Sequence, residues 1–167
     1  YDRMLANLRA AVPAAVPRFT PLFGFSQQVI PAWLAEQPGD FTVDVVFLDG
    51  GNNPREKITE FKLLAPRLPV GGHLFSHDAK LRKGKWLVPY LRLLDNWACQ
   101  LHDVSDEGLF QARKLAAEPS PASQRAANRR LLQLQLEPQE IAAALVPRRL
   151  CGWLFNRLPE RLVRRIA

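Results

Sequence analysis

Apolar positions recur along this chain with two different periods, and the switches between them mark out the elements. Met4, Leu5, Leu8 and Ala11 fall at helical spacing, which predicts an amphipathic helix over Asp2 to Ala11 that ends before Pro13. Phe19 to Phe23 is a short apolar run closed by Gly24 and reads as a strand. Ser26 is placed to cap a helix carrying Val29, Ile30, Trp33 and Leu34, which Pro38-Gly39 stops. Asp44 to Leu48 is β-branched and apolar without alternation, the pattern of a strand buried on both faces of a parallel sheet. Pro54 suits the first turn of the next helix, whose inward face would hold Ile58, Phe61, Leu64 and Ala65. Gly71-Gly72 breaks that helix, and His73 to Ser76 reads as a strand ending at His77-Asp78. A helix from Trp86 to about Leu94 and two strands, Trp97 to His102 and Gly108 to Lys114, complete the body.

Helices and strands alternating in this order call for an α/β fold. The expected architecture is Rossmann-like: a doubly wound, mostly parallel sheet with helices on both faces. The runs at 19–23, 44–48 and 73–77 should be neighbours, and the closing strand pair implies an antiparallel strand at or near an edge. Past Pro119 the composition changes. Pro-Ser-Pro-Ala-Ser reads as a linker, so residues 1–118 form the expected α/β domain and 119–167 a helical C-terminal tail. That tail should carry helices over Gln124 to Leu136 and Pro138 to Leu145, then an amphipathic stretch from Arg148 to Ile166. Trp33, Trp86 and Trp97 are assigned to the core, and His73 and His102 to structural or surface positions.

Charge sharpens this division. The chain carries a net +7, and the segment 119–167 holds nine arginines against three glutamates, so +6 of the total sits in the tail. Trp153, Leu154 and Phe155 lie among those arginines and can anchor the tail on an anionic membrane surface, pack it on the body, or join a homo-oligomer. Cys99 and Cys151 lack the CxxC spacing of a zinc site and form no disulfide framework, so a reducing cytoplasm is the default setting. The chain opens on Tyr1 with no charged-then-apolar leader and is expected to start part-way along a longer product.

In an open parallel sheet, ligands bind outside the carboxyl ends of the strands. Three such ends are informative: Gly24-Phe25-Ser26, Asp49-Gly50-Gly51-Asn52 and Ser76-His77-Asp78. Carboxylates on adjacent strand ends can converge on one hard cation or one substrate hydroxyl. Each residue also has a plainer role: Asp49 as a helix cap, Asp78 as a turn residue, and the basic loop of Lys80, Arg82, Lys83 and Lys85 as a solvated face or a lid.

The run DVVFLDGGNNPREKITEFKLLAPRLPVGGHLFSHD resembles the core of class I S-adenosylmethionine-dependent methyltransferases, in the small-molecule O-methyltransferase branch. That branch includes catechol O-methyltransferase and the cephalosporin hydroxylase-type enzymes, and EGLFQARK resembles its final strand. The resemblance spans about Tyr1 to Lys114. It implies S-adenosylmethionine as cofactor, a small-molecule or sugar hydroxyl as substrate, and cation-assisted O-methylation with Mg²⁺ or a similar ion. Carried across, Gly24, Phe25, Ser26, Asp49, Gly50 and Gly51 would contact the cofactor. Asp49, His77 and Asp78 would bind the metal, and Asp49 and His77 would act in catalysis.

Three positions depart from the family pattern. Asn52 stands where catechol-type enzymes have a lysine base, Asn53 where other relatives have histidine, and His77 where an acidic ligand is usual. The family's glycine-rich first turn and ribose-binding acidic residue have no counterpart, so the chain corresponds to the second half of such a domain and is expected to be inactive alone. The rival reading is a non-catalytic binding module of the same fold whose basic tail contacts nucleic acid or membrane. A nicotinamide-binding domain is disfavoured by the missing glycine fingerprint.

Overall fold

The computed structural model describes residues 1–51 and 53–145. Asn52 and the expected segment from Arg148 to Ile166, with Cys151 and Trp153 to Phe155, lie outside the described residues. Contacts divide the chain into two compact units, Tyr1 to Glu36 and the residues from Gln37 onward.

In the first unit, α1 (Asp2–Ala11) carries Asp2 in its first turn and Arg9 in its last, each complementing the local end of the helix dipole. It ends at Val12, and Pro13 opens a short 3-10 turn, Pro13–Arg18. The run Phe19 to Phe23 is not a strand as expected; it forms no regular element among the described residues. Pro21 removes an amide donor from its centre, so a ladder there would be broken. α2 (Ser26–Ala35) follows, with Phe25 rather than Ser26 in the N-cap position and no side-chain capping bond. Trp33 is half-buried, and Leu34 is the buried residue of this helix. Tyr1 meets Phe23 edge-on at 5.3 Å between ring centroids.

The second unit is built on four strands: β1 (Val45–Leu48), β2 (His73–His77), β3 (Trp97–His102) and β4 (Leu109–Lys114), in the order β1-β2-β4-β3. β1 and β2 pair in parallel, Val45 opposite His73 and Leu48 opposite Ser76. β4 pairs antiparallel with both β2 and β3. Three strands therefore share one direction and β4 opposes them. β4, the antiparallel strand, lies near an edge as expected, one strand in, and β3 takes the edge position itself. The side chains of β4 explain this: Phe110 and Ala112 are fully buried, and an interior strand covers more apolar surface than an edge one.

α3 (Pro54–Leu64), α4 (Leu87–Arg92) and α5 (Pro121–Gln135) share one core with the sheet. Val46, Leu48, Leu74, Phe110 and Ala112 from the strands meet Ile58, Phe61, Leu87, Leu91 and Leu131 from the helices. Phe61 packs edge-on against Tyr90 and Trp97. Trp86 and Trp97 are buried there, as their sequence context suggests.

The expectation that Asp44 to Leu48 is covered on both faces is corrected. β1 alternates, with Val46 and Leu48 buried while Val45 and Phe47 are 55% and 57% exposed. A continuous apolar run shows that both faces of a strand are apolar, not that both are covered. α3, α4 and α5 supply a cover for the Val46–Leu48 face, and His73 and Phe75 on the other face are only half-buried. The unit is thus a mixed α/β sheet, with α3, α4 and α5 sharing the core on the Val46–Leu48 face.

α5 starts at Pro121, earlier than its periodicity suggests, because Ser120 caps it by accepting from the Ser123 amide. Ala127, Leu131 and Leu134 bury its inner face, and α6 (Pro138–Leu145) follows.

Candidate functional site

β1 and β2 end side by side, so the residues that follow them emerge at the same rim of the sheet. Asp49 leaves β1 and Asp78 leaves β2, with His77 as the last residue of β2. His77 Nδ1 lies 3.1 Å from Asp49 Oδ1 and 3.0 Å from Asp78 Oδ1. Ionised carboxylates can only accept hydrogen bonds, so it is the Nδ1–H that donates to them, with Nε2 on the far side of the ring. Asp78 adopts φ +56°, a left-handed conformation that Asp tolerates better than most residues, and this sharp turn brings its carboxylate back onto His77.

Asp49 is exposed and is not a helix cap. Asn53 takes that role, accepting from the Glu56 amide at 3.0 Å. This frees Asp49 for His77. Gly50 keeps the backbone open, since a Cβ there would meet only Glu60 Oε1 at 3.7 Å. Gly51 serves the helix itself: it sits at φ +73° and a Cβ would press on Glu56 at 2.9 Å. Gly24, Phe25 and Ser26 belong to the first unit, at the turn into α2.

Two lysines that the apolar pattern passes over complete the site. Lys57 is fully buried. Its Nζ donates to Leu48 O at 3.4 Å, to Ser76 Oγ at 3.1 Å and to His77 O. All three acceptors are uncharged, so the ammonium is solvated by strand-end dipoles. Burial lowers its pKa to about 8; Lys83 adds to the lowering, while Asp78, Asp49 and Glu60 oppose it. Lys83 pairs with Asp78 Oδ2. Burial opposes ionisation of Asp78, but the Lys83 hydrogen bond and charge, with His77 and Lys57, hold its carboxyl below the ordinary value. The signal for Lys57 was present in the sequence: with Pro54, Ile58 and Phe61 it falls at i, i+3, i+4, i+7 on the inward face of α3.

The basic loop is pinned rather than solvated. Lys80 pairs with Asp103, Arg82 reaches Glu140 at 3.0 Å, and Lys85 pairs with Glu137. The loop before α4 is therefore tied to the β3–β4 turn and to the start of α6.

Lys57 gives the first prediction. Its folded pKa is below its unfolded value, so the buried ammonium costs stability in full below about pH 8, and that cost fades as pH rises through the folded value toward the unfolded one. Urea unfolding at pH 7 and 9.5 should show the wild type gaining about 2 kcal/mol on Lys57→Met. Parallel pH profiles for the two proteins would show that Lys57 is not held in a desolvated setting.

The donor set offers three candidate ligands for a divalent ion, with one oxygen of Asp78 already taken by Lys83. One ligand atom each from Asp49, His77 and Asp78 lies within 4.8 Å of the others. An imidazole with two carboxylates suits Mn, Fe or Zn better than Mg. Cys99, by contrast, is no nucleophile, because burial pushes its thiol up to about 11. No described helix is long and apolar enough to cross a membrane.

Residues 2–79, from α1 to the turn after β2, match a family model described as a methyltransferase domain. Asp49, His77 and Asp78 all fall inside the matched segment. A search of curated proteins finds none that matches the chain.

Proposed function

We propose that this chain, whose residues 2–79 match a methyltransferase domain, is of the class I S-adenosylmethionine-dependent methyltransferases and serves O-methylation of a small-molecule or sugar hydroxyl, with Asp49 and His77 handling the proton. The observation that carries this reading is the position of His77 Nδ1 between Asp49 and Asp78 at the ends of two parallel strands. A carboxylate on Nδ1 orients the ring and leaves Nε2 facing outward, the arrangement a general base needs. The half-exposed His77 ring is accessible to a hydroxyl substrate. S-adenosylmethionine, when bound, supplies an electrophilic methyl group. Gly50, at the strand end, leaves room for close approach to the backbone.

A cation-assisted variant is favoured by one observation, the clustering of three ligand atoms within 4.8 Å. An ion there would lower the hydroxyl pKa and orient the oxygen, with Asp49, His77 and Asp78 as its ligands. The two variants exclude each other at Nδ1, since a nitrogen bound to a metal cannot keep the proton it shares with Asp49.

The test is transfer of labelled methyl from S-adenosylmethionine to a panel of small hydroxyl compounds, using the protein as encoded, with and without chelator. Transfer lost on chelation selects the cation-assisted variant, and transfer indifferent to chelator selects His77 as base. No transfer to any acceptor would sink the enzymatic reading. A binding module whose arginine-rich segment 119–167 engages nucleic acid or an anionic membrane would then take its place.

A further inference from the structure

Asp49 and Asp78 bring two carboxylates to one imidazole, and in most settings such a pair needs a cation to hold it together. The neighbourhood already contains two. Lys83 closes on Asp78 Oδ2 from the loop before α4. Lys57 lies underneath, fully buried, hydrogen-bonded to the carbonyls of Leu48 and His77. Those two residues immediately precede Asp49 and Asp78, so the ammonium joins the two strand ends that carry the carboxylates. Ser76 Oγ, also fully buried, completes its set of acceptors. A lysine is an unusual occupant of a core position, and desolvating it is expensive unless the charge is used.

We propose that Lys57 and Lys83 supply, as fixed residents, the positive charge that a divalent ion would bring to the Asp49–His77–Asp78 cluster, so that the site holds its carboxylates together without a metal and binds one only weakly. Lys83 occupies an oxygen that a metal would need. Lys57 repels an incoming dication across the strand ends, where the low dielectric keeps the interaction strong. Lys57 is then a positioning residue: it fixes the spacing of Asp49 and His77 through their backbones and touches no substrate itself. The inference rests on the placement of the site proposed above but not on methyl transfer.

The experiment is a Mn²⁺ titration of the full chain, read by the loss of free-ion paramagnetic signal, which needs no turnover. Wild type is compared with Lys57→Met, Lys83→Met and, as a control, Lys80→Met, whose ion-pair partner is Asp103 rather than a residue of the cluster. Met matches the lysine stem and removes the ammonium, with its charge and the hydrogen bonds it donates. Each of the first two variants should tighten Mn²⁺ binding about tenfold or more. The control should not change, and adding Asp49→Asn should abolish the gain. Should Lys57→Met fail to fold by its thermal transition, Lys83→Met on the partly exposed loop carries the test alone. Tight Mn²⁺ binding by the wild type, or no tightening in the lysine variants, would overturn the proposal. A chain that shows the tightening but transfers no methyl group would leave the inference standing and remove only the enzymatic reading.

Discussion

Replacing His77 by Ala should reduce methyl transfer about a thousandfold with little change in thermal stability, because a positioned general base contributes about 10²–10⁴ in rate. The ring is half-exposed at the end of β2 and is not part of the apolar core, so its removal leaves no large cavity. The loss should fall on kcat more than on KM, since proton removal is realised in the transition state. Asp49→Asn should lose less: an amide can still orient the ring through its oxygen but carries no charge to support the imidazolium. His77→Ala retaining more than about a tenth of the wild-type rate would exclude His77 as the base.

Gly84→Ala should be the most damaging single-methyl change in the second unit. A Cβ at this buried position would lie 2.3 Å from the carbonyl oxygen of Ala79 and 2.7 Å from its C and Cα atoms. Both sides of the clash are backbone, so no side chain can rotate away. The short turn at Arg82–Gly84 and the chain at Ala79 must separate, and Lys83 moves with them. The expected cost is about 3 kcal/mol, at the upper end for overpacking, together with loss of the Lys83–Asp78 pair. Gly39→Ala is the matched control, since a methyl group there would have no neighbour within 4 Å. Urea denaturation that places both variants within about 0.5 kcal/mol of wild type would show that the loop accommodates the methyl freely.

Elements whose signal is local were legible in the chain itself. The pattern at Trp97 to His102 and Pro138 to Leu145 fixes those elements to the residue, and Pro54 marks the start of α3 because a missing amide costs nothing at the first turn. The ends of β1 and β2 were legible for a similar reason: a buried strand that stops on Asp-Gly or His-Asp announces a polar rim. That was enough to nominate Asp49, His77 and Asp78, and the match over residues 2–79 to a methyltransferase domain agrees with the family resemblance read from the same run.

What only the tertiary structure decided is set by which surface meets which. The apolar run from Phe19 to Phe23 could not reveal that it has no ladder partner among the described residues, nor the run at β1 that Val45 and Phe47 stay exposed. Pairing and cover are properties of neighbours distant in sequence. The interior place of β4 likewise depends on competition among strands for the most apolar position. Lys57 is the sharpest case. Its helical phase put it on the inward face of α3, but a lysine there reads as a break in the pattern until the carbonyls of Leu48 and His77 are seen around it. Residue type set the possible chemistry of the site, and the convergence of two strand ends on one buried ammonium, 9 and 20 residues away along the chain, decided its charge.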